Sequence, residues 1–166
     1  MRLSKKVLDA VNEQINMELS SSYTYLAMSA YCERISFTGC ASWLRVQSQE
    51  EKDHAMKLYE FLSNRGAKIV LKAIAAPPVD WKSLLDVFED SLKNEEKVSD
   101  AINGLYELAL KEKAFATATE LQWFLTEQVE EEKTARDIVA KFRMVGKDPS
   151  GLLDLDRHLG SRSQEA

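Results

Sequence analysis

Glu51-Lys52-Asp53-His54 lies in the middle of a long helix-forming stretch and governs how the rest of the chain is read. Residues three and four apart share a helix face. The face that carries Glu51 is otherwise apolar or small: Leu44, Ser48, Glu51, Ala55, Leu58 and Leu62 follow one stripe, with His54 beside it. A carboxylate and an imidazole pointing into a core are costly unless something pairs with them. One Glu-x-x-His step by itself is more often a buried structural contact than a metal site. Its meaning depends on what the neighbouring helices carry at the same height.

Outward from this stretch, the sequence predicts four long helices. The first spans about residues 5–34 behind the N-cap Ser4, with the stripe Leu8, Val11, Ile15, Glu18, Ser22, Tyr25 and Ser29. A turn at 35–38 makes the second helix, about 39–65, its antiparallel neighbour. Gly66 suits the stop. The third helix spans about 82–111, with the stripe Leu85, Phe88, Leu92, Glu95, Ser99, Ile102, Tyr106 and Ala109. Gly104 weakens it by about 1 kcal/mol relative to Ala, a cost that points to close packing there. The fourth spans about 114–145, with Thr117, Leu121, Phe124, Gln128, Glu131, Ala135, Ile138, Phe142 and Val145 in line before Gly146. A short fifth helix follows at 150–159, with Leu152, Leu153, Leu155 and Leu159 as its apolar side, and the tail 160–166 is expected to fray.

The stretch 67–80, with Pro77-Pro78, lacks helical periodicity. The second helix would be roughly 40 Å long at ~1.5 Å per residue, and this connection reaches about 46 Å at ~3.3 Å per residue. It is long enough to run back along the bundle and leave the second and third helices parallel. The expected fold is all-α: a single domain over 1–166, a four-helix bundle with one long crossover between the second and third helices and a short C-terminal fifth helix.

Composition narrows the function. Helix formers dominate, with only 6 Gly and 3 Pro. A net charge of −5 argues against nucleic acid as a partner and favours cations. No apolar run approaches a membrane span, and the polar start 1–7 has no signal-peptide core. Cys32 and Cys40 form no Cys-x-x-Cys step and read as small packing residues. A cytoplasmic location follows as the expectation. Trp123 reads as a core aromatic and His158 as a surface residue.

Each long helix has its apolar stripe broken near the middle by a ligand type: Glu18, Glu51 with His54, Glu95, and Gln128 with Glu131. Side by side, these meet at one level. Four carboxylates together would repel and their pKa values would rise unless cations sat among them. Oxygen ligands with one imidazole suit Fe(II), Mn(II) or Zn(II), and the ligands are numerous enough for two ions.

Asn12-Glu13-Gln14-Ile15-Asn16-Met17-Glu18-Leu19, Glu50-Glu51-Lys52-Asp53-His54-Ala55 and Phe124-Leu125-Thr126-Glu127-Gln128-Val129-Glu130-Glu131-Glu132 resemble the ferritin family, in its prokaryotic non-haem type. The resemblance covers nearly the whole chain, the Pro-Pro crossover and fifth helix included. It implies that Glu18, Glu51 and His54 hold one iron, with Glu51 bridging to a second held by Glu95 and Glu131. It implies a third iron site at Glu50, Glu127, Glu130 and Glu131. Gln128 then stands close to the second iron, and Tyr25 is a tyrosine beside the site that donates a hydrogen bond or an electron. Two departures separate the chain from relatives within the fold. A second Glu-x-x-His is missing, since Glu95 is followed by Val98 and Glu127 by Glu130, unlike bacterioferritins and rubrerythrins. Lys52 stands where bacterioferritins carry a haem-ligating Met, so no haem is expected.

The activity implied is that of a ferroxidase. Fe(II) is oxidised by dioxygen, or by hydrogen peroxide, and ferric mineral is stored inside a hollow homo-oligomer of 24 subunits. A rubrerythrin-like di-iron peroxidase and a DNA-protecting mini-ferritin remain as alternatives. The resemblance also leaves His158 a weak candidate for a channel at the fifth helix.

Overall fold

In a computed structural model the chain is described from residue 3 to residue 162; Met1, Arg2 and residues 163–166 lie outside the described residues, and with them part of the expected polar start and most of the expected fraying tail. The elements run α1 Lys5–Arg34, α2 Thr38–Asn64, α3 Leu84–Lys111, α4 Phe115–Val145 and α5 Pro149–Gly160. No strand occurs among the described residues. The starts of α1, α3 and α5 are set by side-chain caps. Ser4 accepts from the Val7 amide, and Ser83 from the Asp86 amide, so α3 begins at Leu84 rather than at 82. Asp148 accepts from the Gly151 amide with Pro149 in the first turn, which carries α5 one residue earlier than expected. Gly66 and Gly146 close α2 and α4 at φ 61° and 56°, a backbone region that costs glycine little.

Two apolar clusters fill the bundle. One gathers Val7, Val11 and Ile15 with Leu58, Leu62, Ile102, Leu105, Leu121 and Phe124. The other gathers Met28, Tyr31, Trp43, Leu44, Val87, Phe88, Val139 and Phe142. The start of α1 thus lies with the ends of α2 and α3 and the start of α4, so α2 and α3 run parallel. Between the clusters lies a buried polar layer of Glu18, Gln47, Glu51, His54, Ser91, Glu95, Gln128 and Glu131.

The crossover is held by two asparagines. Asn12 donates to the Lys68 carbonyl (3.0 Å) and accepts from the Val70 amide (2.8 Å); Asn16 donates to the Val70 carbonyl (3.0 Å) and accepts from the Lys72 amide (2.8 Å). Four helical residues rise ~6 Å and two extended residues ~6.6 Å, so a one-turn step on α1 matches a two-residue step of the connection. Lys72 pairs with Glu13, and at the far end Arg34 pairs with Asp80. The segment therefore travels the length of α1.

Register between α1 and α2 is fixed beside the polar layer. Ser22 Oγ donates to the Ser48 carbonyl (2.7 Å) and Ser48 Oγ donates to the Ser22 carbonyl (2.6 Å). Small side chains let the two backbones approach one turn from Glu18 and Glu51.

Several expectations are corrected. On α3 the buried arc includes Val87, Ser91, Val98 and Leu105, while Leu85, Leu92, Ser99 and Tyr106 are half-buried. The helix meets α1 as well as α4, and Val98 and Leu105 line that seam. Gly104 is exposed, and a Cβ there would meet nothing within 4 Å, so close packing is not its role. On α5, Leu152, Leu155 and Leu159 pack inward but Leu153 is 56% exposed. Asp156 accepts from the Cys40 amide (2.8 Å) at the start of α2, where no side chain of α2 provides a cap. A Cβ on Gly39 would stand 1.8 Å from the Asp156 carbonyl oxygen, so only glycine lets α5 lie this close. The tail does not fray through Arg162, whose guanidinium is bonded to α2. Cys32 and Cys40 are buried free thiols, and burial pushes the Cys32 thiol up to about 12.

Candidate metal centre

All four long helices deliver an acid to the polar layer. Glu18, Glu51 and Glu95 are buried essentially completely, and Glu131 and His54 nearly so. Three groupings of ligand atoms lie within 4.8 Å of one another: Glu18 with Glu51 and His54; Glu51 with Glu95 and Glu131; and His54 with Glu127 and Glu131. Glu51 belongs to the first two and is placed to bridge them.

The hydrogen bonds divide the oxygens. Gln14 donates to Glu18 Oε1 (2.9 Å), and Gln47 to Glu51 Oε1 (3.3 Å) and Glu131 Oε2 (2.8 Å). The other oxygens of Glu18 and Glu51 have no partner, nor has His54 Nδ1. Five buried side-chain atoms among the described residues are left in this state, and these three face one another. His54 Nδ1 lies 3.5 Å from Glu51 Oε2 and 4.0 Å from Glu18 Oε2. Ligands ~2.1 Å from one ion stand ~3.0–4.2 Å apart, depending on the angle between them. The donor set therefore fits a divalent ion, which would satisfy these unpartnered buried groups.

Glu95 is held differently. Tyr25 donates to its Oε1 (2.5 Å), and Gln128 to its Oε2 and to its carbonyl (3.2 Å each). Tyr25 also meets Ser91 Oγ at 3.0 Å. Burial is the main cause that raises the Glu95 carboxyl above its usual range, and the bonds from Tyr25 and Gln128 oppose it. Burial and then Glu95 and Glu18 push Glu51 well up. Glu131 is raised to about 8, first by burial and then by Glu95. Burial and the facing Glu95 likewise raise the Tyr25 phenol.

The outer acids are gathered only in part. Glu127 is half-buried, raised by burial with His54 opposing, and reaches His54 and Glu131. Glu130 is exposed and Glu50 half-buried, and neither enters a ligand grouping among the described residues. Glu50 is paired with Arg162 at 2.8 Å. Trp123 is not core: it is 41% exposed, its ring centre is 5.3 Å from that of His54, and the Lys57 ammonium stands 4.3 Å above it. It covers the outward side of the imidazole. His158 is exposed.

Sequence reasoning gave no role to Gln14 and Gln47. Each stands four residues before a candidate ligand, Gln14 before Glu18 and Gln47 before Glu51, and that i,i+4 step is the available signal. Arg162 had no local signal, being more than a hundred residues from its partners.

A helical bundle with one long crossover and carboxylates converging at mid-height defines the class of carboxylate-rich metal bundles. The chain belongs to the ferritin family: the ferritin-like domain model matches residues 8–145. It is 38% identical over 161 residues to the bacterial non-heme ferritin of Staphylococcus aureus, covering 97% of each chain. It is 40% identical, at the same coverage, to that of Staphylococcus epidermidis. Among solved structures, an open-pore ferritin of the archaeon Archaeoglobus fulgidus superposes with a TM-score of 0.97 at 45% identity, over 98% of this chain and 100% of that one. No helix among the described residues is long and apolar enough to cross a membrane.

Proposed function

We propose that this chain is an iron-storing ferroxidase of the cytoplasm. Two Fe(II) ions are its substrates, one taken by Glu18, Glu51 and His54, the other by Glu51, Glu95 and Glu131. The observation that carries this reading is the convergence of Glu18 Oε2, Glu51 Oε2 and His54 Nδ1, buried and unpartnered, at ligand-to-ligand distances. Gln14 and Gln47 occupy the opposite oxygens and so aim the free ones inward. Hard oxygen ligands stabilise Fe(III) over Fe(II), which favours oxidation. Two ions side by side give dioxygen two electrons at once, so two Fe(III) and, with two protons, one hydrogen peroxide result. Tyr25 and Gln128 hold Glu95 in place through that change of charge.

Having only one imidazole among its ligands, the site lets the ferric product leave. Glu127 with Glu131 and His54, flanked by Glu50 and Glu130, is proposed as the third site on the way out. Storage requires a cavity, and one bundle has none; the proposed particle is a shell of 24 copies. Ligands drawn from one chain favour this reading over a mini-ferritin with its site between subunits. The test is anaerobic Fe(II) titration followed by oxygen, alongside the mass of the assembled particle. Two Fe(II) bound tightly per subunit, oxygen consumed at one per two irons, and a 24-subunit mass are expected. A 12-subunit mass, or a preference for hydrogen peroxide as oxidant, overturns it in favour of the alternatives.

A further inference from the structure

Trp43, Gln47 and Glu50 are spaced i, i+4 and i+7 and lie along one face of α2. The C-terminal Arg162 lies across all three. Its Nη2 donates to Glu50 Oε2 (2.8 Å), its Nη1 to Gln47 Oε1 (3.0 Å) and to the Trp43 carbonyl (3.5 Å). The guanidinium carbon sits 4.6 Å from the centre of the Trp43 ring. Only 23% of the arginine side chain and 24% of the Glu50 side chain are exposed. Stacked and bonded three times, this is an ordered cation rather than a solvated tail.

Two things follow from where it stands. Because Arg162 takes the Gln47 carbonyl, the Gln47 amide nitrogen must point the other way, toward Glu51 Oε1 and Glu131 Oε2. The arginine is therefore one residue removed from two of the ligands. It also holds the very carboxylate that an ion in the outer acidic lobe would need. Like charges at a few ångströms in a half-buried site oppose one another strongly, so the guanidinium and a divalent ion cannot share Glu50.

We propose that Arg162 is a tethered competitor for the outer metal site: its guanidinium holds Glu50 until an ion binds there, and binding releases the C-terminal segment. This rests on the reading of Glu50, Glu127 and Glu130 as flanking an outer cation site. Arg162 is a positioning residue in this scheme and sets a threshold, since any ion must outcompete a fixed positive charge to enter. The backbone at this point is held by short local bonds, Ser161 N to the His158 carbonyl and Arg162 N to the Leu159 carbonyl (3.2 Å each), so its release is readable.

The experiment uses redox-inert Zn(II) on the assembled, metal-stripped protein, with calorimetry for affinity and amide hydrogen exchange for the segment. In the wild type, Zn(II) filling the weaker class of sites raises exchange at Ser161 and Arg162 several-fold. Arg162→Gln tightens that weaker class about tenfold or more, while the tight inner class moves less than about threefold. Arg162→Lys, which keeps the charge, stays within about threefold of the wild type. Glu50→Gln removes the weaker class and cancels the effect of Arg162→Gln in the double variant. If Glu50→Gln leaves the weaker class intact, the outer-site reading itself fails, and the proposal with it. If Glu50→Gln removes that class but Arg162→Gln leaves its affinity unchanged or lower, or Zn(II) does not alter exchange at the segment, Arg162 is only a strap for α5 and the proposal alone is overturned.

Discussion

The inner and outer halves of the acidic layer carry the same residue type in opposite conditions. Glu18, Glu51 and His54 are buried, each keeps one atom without a partner, and those atoms face one another. Glu50 and Glu130 are partly or fully exposed, and Glu50 already has a cation in Arg162. A buried acid without a partner creates a demand that a bound ion meets, or a proton in the ion's absence. A solvated acid, or one paired with arginine, creates little. Glutamate counting therefore does not rank metal sites; burial and the distribution of competing donors do.

The largest effects are expected at the inner half. Glu51→Ala or His54→Ala is expected to abolish fast Fe(II) oxidation, by more than ~100-fold in stopped-flow absorbance, with helicity and particle mass unchanged. A wild-type rate in either variant removes the ligand assignment. Tyr25→Phe takes one of two donors from Glu95 and is expected to weaken the second ion roughly tenfold in anaerobic titration. Equal affinities would make Tyr25 a packing residue only. At the outer half, Glu130→Ala should slow later turnovers about two- to fivefold and leave the first burst untouched, since a solvated charge contributes ~1 kcal/mol or less. A slowed first burst would merge the two halves into one site.

Acidity sharpens the same contrast. Glu131 is raised to about 8, and Glu51 and Glu95 are raised too, mainly by burial. A raised carboxyl gives stability that is full below its ordinary pKa near 4.5 and is lost as pH rises through the folded value. The melting temperature of the metal-free protein should therefore fall by a few degrees from about pH 5 to about pH 8. Saturation with Zn(II) should remove that fall. A metal-free protein that becomes more stable over this range would show that the inner acids are not buried together.

Much of this was legible in the sequence because periodicity survives packing. The stripe through Leu44, Ser48, Glu51, Ala55, Leu58 and Leu62 is buried throughout, and mid-helix acids in helices of similar length must meet. The crossover's path followed from chain length. Its clamp did not, because Asn12 and Asn16 bond to backbone more than fifty residues away, and no local pattern announces that. The third helix packs on two neighbours, and a single stripe describes only one of those faces. Residue type alone puts Trp123 in the core, yet it is 41% exposed and stands against His54. Arg162 lay in a stretch whose composition resembles a loose tail, and its order comes wholly from distant groups on α2.

In the proposed function, buried, unpartnered atoms of separate helices hold two ions. Crystals soaked anaerobically in ferrous salt, measured at the iron absorption edge, test it most directly. Two anomalous peaks per subunit are predicted at mid-height, one ~2.0–2.3 Å from Glu18, Glu51 and His54 and one among Glu51, Glu95 and Glu131. Iron confined to surface carboxylates, with Glu18 Oε2, Glu51 Oε2 and His54 Nδ1 bonded to water instead, would contradict it.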